Sequence, residues 1–92
     1  MSVKLSIPAG ISQKVTVSTT SAQSAAIAAN SVTIYATVNV YVRQGSNPTA
    51  VSDGTDQFIP AETFVSLEGL ITGNKLAIIG EGSGIAYLTP GA

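Results

Sequence analysis

The chain has 92 residues, enough for one domain with a thin core. It contains no Cys, His or Trp, which excludes a disulfide framework, thiolate or imidazole metal ligands and a histidine general base. Only 10% of residues are charged and the net charge is −1, so no basic stripe exists for nucleic acid, and the Ser, Thr, Asn, Gln, Ala and Gly exterior suits burial in an assembly.

Met1-Ser2-Val3-Lys4 carries no cleavable signal pattern. The expectation is a protein made and kept in a cytoplasm until it is assembled. Lys4–Ile7 reads as a first strand, followed by a Pro8-Ala9-Gly10 turn. Lys14–Thr20 reads as a second, with Val15 and Val17 on one face. No charge occurs from Val15 through Val42. Ser18, Thr19, Thr20, Ser21, Gln23 and Asn30 interrupt the apolar residues there, so a membrane span is not expected. Ser21–Asn30 fits either a flat strand of small side chains or one or two helical turns with Ser21 as N-cap. The β signals on both sides favour the extended reading.

Val32 to Arg43 is the clearest strand signal. Val32, Ile34, Ala36, Val38, Val40 and Val42 share one parity, and Thr33, Tyr35, Thr37, Asn39 and Tyr41 the other. One long strand fits, as do two strands joined by a bend near Thr37. Turn signals at Gly45-Ser46-Asn47-Pro48 and Ser52-Asp53-Gly54 lead to strands over Asp56–Ile59 and Thr63–Glu68. Gly73-Asn74 precedes a strand over Lys75–Ile79, and the glycines of Gly80–Gly84, able to take positive φ, join it to Gly84–Leu88 as a hairpin turn. Ile7-Pro8-Ala9 and Ile59-Pro60-Ala61 each precede a strand, which two ordinary proline turns explain. Short strands at this spacing predict a single all-β domain over residues 1–92, a small antiparallel β-sandwich or jelly-roll-like barrel.

No constellation of residues names a reaction. Lys4, Lys14 and Lys75 sit at strand edges or turns, where lysines are solvated rather than poised beside a nucleophilic hydroxyl. Glu62 and Glu68 share a parity, but six residues of strand hold them about 20 Å apart, too far for a glycosidase pair. Asp53-Gly54-Thr55-Asp56 offers two carboxylates for calcium but lacks the longer loop pattern, so an Asp-Gly turn is the plainer reading. Gly80-Glu81-Gly82-Ser83-Gly84 precedes a strand rather than a helix, and Glu81 would repel phosphate. Tyr35, Tyr41 and Tyr87 could stack on sugars or bases, but no Arg or Lys clusters with them, so core or interface packing is the better reading. The expectation is a non-enzymatic chain without cofactor or metal. Tyr35, Tyr41, Ile27 and Arg43 are its candidate interface residues.

From Ser24-Ala25-Ala26-Ile27 to Pro90 the chain resembles small virion structural proteins of tailed bacteriophages. The outline is an Ala-rich lead, the strand Val32–Arg43, the turn Gly45–Ala50, the acidic stretch Asp53–Asp56, Ile59–Ala61 opening another strand, the strand Lys75–Gly80, and a Gly-rich turn into Gly82–Leu88. The resemblance implies a β-sandwich in the particle and brings no active site. It implies a capsid decoration (cement) protein held to the major capsid protein or another virion protein, as a homo-oligomer, trimer or dimer, without nucleic acid or membrane. A head–tail connector, a fibre-associated protein or a small carbohydrate-binding module are the alternatives.

Overall fold

A computed structural model describes residues 12–91. Eight strands follow in chain order: β1 Gln13–Val17, β2 Ala22–Gln23, β3 Ser31–Ala36, β4 Val40–Gly45, β5 Gln57–Ile59, β6 Val65–Glu68, β7 Lys75–Gly80 and β8 Gly84–Pro90. They form two four-stranded antiparallel sheets, sheet A in the order β1-β8-β3-β6 and sheet B in the order β2-β7-β4-β5. The expected Lys4–Ile7 strand, the Pro8–Gly10 turn and Ile7-Pro8-Ala9 lie outside the described residues.

The pairing has a simple logic. β1 pairs with β8, β2 with β7, β3 with β6 and β4 with β5, as in one long hairpin. Rolling that hairpin up adds β3 against β8 and β4 against β7. This is the strand order of a jelly roll. The two sheets stack as a sandwich, so each strand needs apolar residues on one side only. Val15, Val17, Val32, Ile34, Ala36, Ala86 and Leu88 face inward from sheet A, and Val40, Val42, Ile59, Leu76 and Ile78 from sheet B. Complete burial of a Val, Leu or Ile side chain is worth about 1.5–3 kcal/mol, so these alternating aliphatics are the main force holding the sheets together.

Val32–Arg43 is two strands, not one. Thr37, Val38 and Asn39 carry the chain from sheet A to sheet B. Parity persists across the break because both sheets face the same core, so Val38, half-buried, still packs inward. Ser21–Asn30 is extended, with β2 as its only regular part. Ser24 prolongs that edge: its N–H donates to Leu76 O (2.8 Å), and Leu76 N–H donates to Ser24 Oγ (3.0 Å).

The turn between β7 and β8 corrects the expectation of a hairpin, since these strands lie in different sheets. Its glycines do not take positive φ; the positive-φ glycines among the described residues are Gly54, Gly69, Gly73 and Gly91. Gly80 and Gly84 are needed for close approach instead. A Cβ on Gly80 would strike Val17 Cγ1, and one on Gly84 would lie 2.5 Å from Thr37 Oγ1. Here the sheets come together tightly. Gln13 closes the same side, donating from Nε2 to Ala25 O (3.3 Å) and accepting from Ala25 N–H (2.8 Å).

Candidate interaction surface

The molecule measures 33 × 30 × 20 Å, the thin direction being that of two stacked sheets. Its two broad surfaces are therefore the outer faces of sheets A and B, and they differ.

The outer face of sheet B is covered in part by its own chain, and Phe58 on it stays 42% exposed. After β4, residues 46–56 run back along β2 before entering β5. Gln23 Nε2 donates to Asn47 Oδ1 and Pro48 O (both 2.8 Å), and Ala50 N–H donates to Ser21 Oγ (2.9 Å). Arg43 Nε holds Asp56 Oδ1 at 2.6 Å, while Asp56 Oδ2 accepts from Val51 N–H at 2.8 Å. Ala77, which points out of sheet B between Gln23 and Arg43, is fully buried beneath this return. Tyr41 and Phe58 pack beside it with ring centroids 5.3 Å apart. Desolvation raises the Tyr41 pKa above its ordinary value, and the charge of Glu81 and the hydrogen bond from the phenol to it (3.3 Å) act in the same direction.

The outer face of sheet A is bare among the described residues. The strand register lays its side chains in rows. Lys14 stands opposite Tyr87, and Tyr87 opposite Tyr35. Phe64 continues the row, its ring 4.7 Å from that of Tyr35. Tyr87 is 45% and Phe64 46% exposed, so this row presents aromatic surface to solvent among the described residues. One side of this row is lined by Thr89, Thr33 and Ser66, the other by Thr16 and Ile85. Among the described residues, Lys14 and Glu68 are the only charges on the strands of this face, one on each edge strand. Neither has an ion-pair partner among the described residues.

The residues expected at an interface are therefore separated. Tyr35 lies on the bare face. Tyr41 projects from the opposite sheet, so the two tyrosines cannot form one platform. Arg43 fastens the β4–β5 loop. Ile27 is corrected to the core: at 2% exposure it plugs one end of the sandwich, where its N–H donates to Asn74 O and its carbonyl accepts from Gly73 N–H. Phe64 and Tyr87 were missing from the expected interface set. Their neighbours become visible only through strand register, which places both beside Tyr35.

Two other features are chemically modest. Asp53 Oδ1 accepts from both the N–H (3.0 Å) and the hydroxyl (2.6 Å) of Thr55. These bonds hold its pKa below the ordinary value. The described residues contain no group of three or more carboxylate, His or Cys side chains that could hold a metal ion. A cleft of about 200 Å³ opens between the sheets on the β5–β6 side, with Val32, Val42, Leu67 and Leu76 at its base.

No family model matches the chain, and neither the curated proteins nor the solved structures contain a significant match to it.

Proposed function

We propose that this chain is a non-enzymatic structural subunit of a tailed-bacteriophage particle, a capsid decoration protein that works through protein–protein contact. The observation that carries the reading is the outer face of sheet A, a broad sheet surface with an aromatic row and two charged side chains. An aromatic, charge-depleted centre is the composition of protein interfaces rather than of ordinary solvated surface. The sequence outline from Ser24 to Pro90 and the scarcity of charge along the whole chain support it further. The jelly-roll strand order recurs in viral capsid and lectin domains, which is an analogy of fold.

Quantitative mass spectrometry of purified particles encoded alongside this chain tests the proposal. Decoration requires copies on the order of hundreds per particle, in step with the shell subunits. A dozen or fewer points to a connector or fibre protein, and absence from the particle removes the virion reading. Carbohydrate binding is the second reading, favoured by the Tyr87–Tyr35–Phe64 row lying on a sheet. Glycan binding lost in Tyr87→Ala but kept in Tyr41→Ala would support it.

A further inference from the structure

We propose that the open cleft between β5 and β6 is the seat of Val3–Ile7 from a neighbouring copy of this chain, added as a strand beside β6. The proposal goes beyond the virion reading and does not depend on it.

The two sides of the sandwich are finished differently. On the β1–β2 side the inward residues Val15 and Val17 are buried. There the sheets are tied by the Gln13–Ala25 bonds and by Gly80 N–H donating to Ser18 O (2.8 Å). On the β5–β6 side the inward residues Val65 and Leu67 are only partly buried. Gln57, on the inward side opposite Val42, is exposed. The cleft of about 200 Å³ lies between them, with Val42, Leu70 and Leu76 beneath. Among the described residues β6 pairs with β3 alone, so its other backbone edge is open to a further strand. Such a cleft takes an extended segment with apolar residues at every second position.

Val3, Leu5 and Ile7 supply that pattern, with Lys4 and Ser6 on the other parity. One antiparallel register suits both faces of the added strand. It sets Ile7 opposite Val65 and Leu5 opposite Leu67 over the cleft, with Val3 beyond them towards Leu70. It also sets Ser6 opposite Ser66 and Lys4 opposite Glu68 on the outer face. Glu68 is exposed and has no ion-pair partner among the described residues. Opposite charges directly across a strand pair stabilise it. Reach selects a neighbouring copy. Gln13 and Val65 share a row at opposite edges of sheet A. A strand beside β6 therefore stands four spacings from β1, about 19 Å. The chain from Gln13 back to Ile7 spans about 20–22 Å at full stretch. β8, β3 and β6 fill the direct line, and a detour round them outruns that length. The segment of the same chain falls short, whereas each copy can give one segment and receive one.

The absence of Cys from the chain gives a clean test in the full-length protein. Leu5→Cys combined with Leu67→Cys should form disulfides between chains on mild oxidation, read as multimers on non-reducing gels. Leu5→Cys combined with Phe58→Cys, on the other sheet, should not. By sedimentation equilibrium the wild type should associate. Leu5→Asp, which sets a charge over the apolar floor, should weaken association at least about ten-fold. Lys4→Glu and Glu68→Lys should each weaken it, and the two together should restore it. Circular dichroism confirms that every variant is folded. A wild type still monomeric at about 1 mM overturns the proposal. So does a Leu5→Cys/Leu67→Cys disulfide closed within one chain, or its failure to form while the wild type associates.

Discussion

Single side chains act here chiefly by satisfying backbone groups where regular pairing stops. Ser24 is the buried polar residue of the core region, and its hydroxyl both donates to Ala25 O (2.8 Å) and accepts from Leu76 N–H (3.0 Å). Ser24→Ala keeps the volume nearly unchanged but leaves Leu76 N–H without its acceptor. The expected loss is about 1–3 kcal/mol of unfolding free energy, read from the urea midpoint. Tyr41 offers a pH test. Its folded-state pKa is raised by desolvation first and by Glu81 second, so the folded protein prefers the neutral phenol. The associated stability is complete below the unfolded pKa and is lost as pH rises through the folded one. Glu81→Gln should lower the Tyr41 titration midpoint seen by NMR without returning it fully to the ordinary value, because desolvation remains. An unchanged midpoint would show that Glu81 has no hold on the phenol.

At the scale of elements, the two ends of the sandwich are tied by side chains reaching between loops. At one end Asn39 Oδ1 accepts from Ala61 N–H (2.8 Å), and its Nδ2 donates to Glu81 Oε1 (3.1 Å). At the other, Gln44 holds the 69–74 loop: Nε2 donates to Gly69 O, and Oε1 accepts from Ile71 N–H and from Asn74 Nδ2. Ile71, 66% exposed, is held in place by this clamp rather than by packing. Gln44→Ala should speed amide exchange at Ile71 by about ten-fold while costing about 1 kcal/mol globally. Equal exchange in both proteins would show the loop to be held otherwise. The strands themselves were legible in sequence because half-buried strands advertise a period of two, and six of the seven expected strands appear with shifted ends. The long Val32–Arg43 reading could not distinguish one strand from two, since alternation continues when a chain crosses between sheets that share a core. Gly80 and Gly84 were legible as turn residues, but the tight approach of Val17 and Thr37 that requires them is a tertiary fact. The site was legible in part: Tyr35 was anticipated, whereas its grouping with Tyr87 and Phe64, and its separation from Tyr41, depend on register that no local pattern contains.

For the whole molecule, the rolled hairpin makes nearly every pairing non-local. Loop closure must precede the reward of contact, so refolding is expected on the millisecond-to-second scale, as for other all-β domains. Stopped-flow mixing checks this, and microsecond folding would contradict the topology. Core variation should also be tolerated unevenly. The side where Gly80 touches Val17 has no room, while the opposite side opens into the cleft bordered by Leu67 and Leu70. The position of β8 has a consequence for synthesis. Of the eight strands among the described residues it is the last to leave the ribosome, yet it lies inside sheet A between β1 and β3. A chain lacking it leaves β1 without a strand partner and opens the inner edge of the β3–β6 pair, a form exposed to proteases and to aggregation. Sheet B can pair before Gly84–Pro90 is made, but sheet A closes only with it, so a message interrupted earlier yields a sandwich with one open layer.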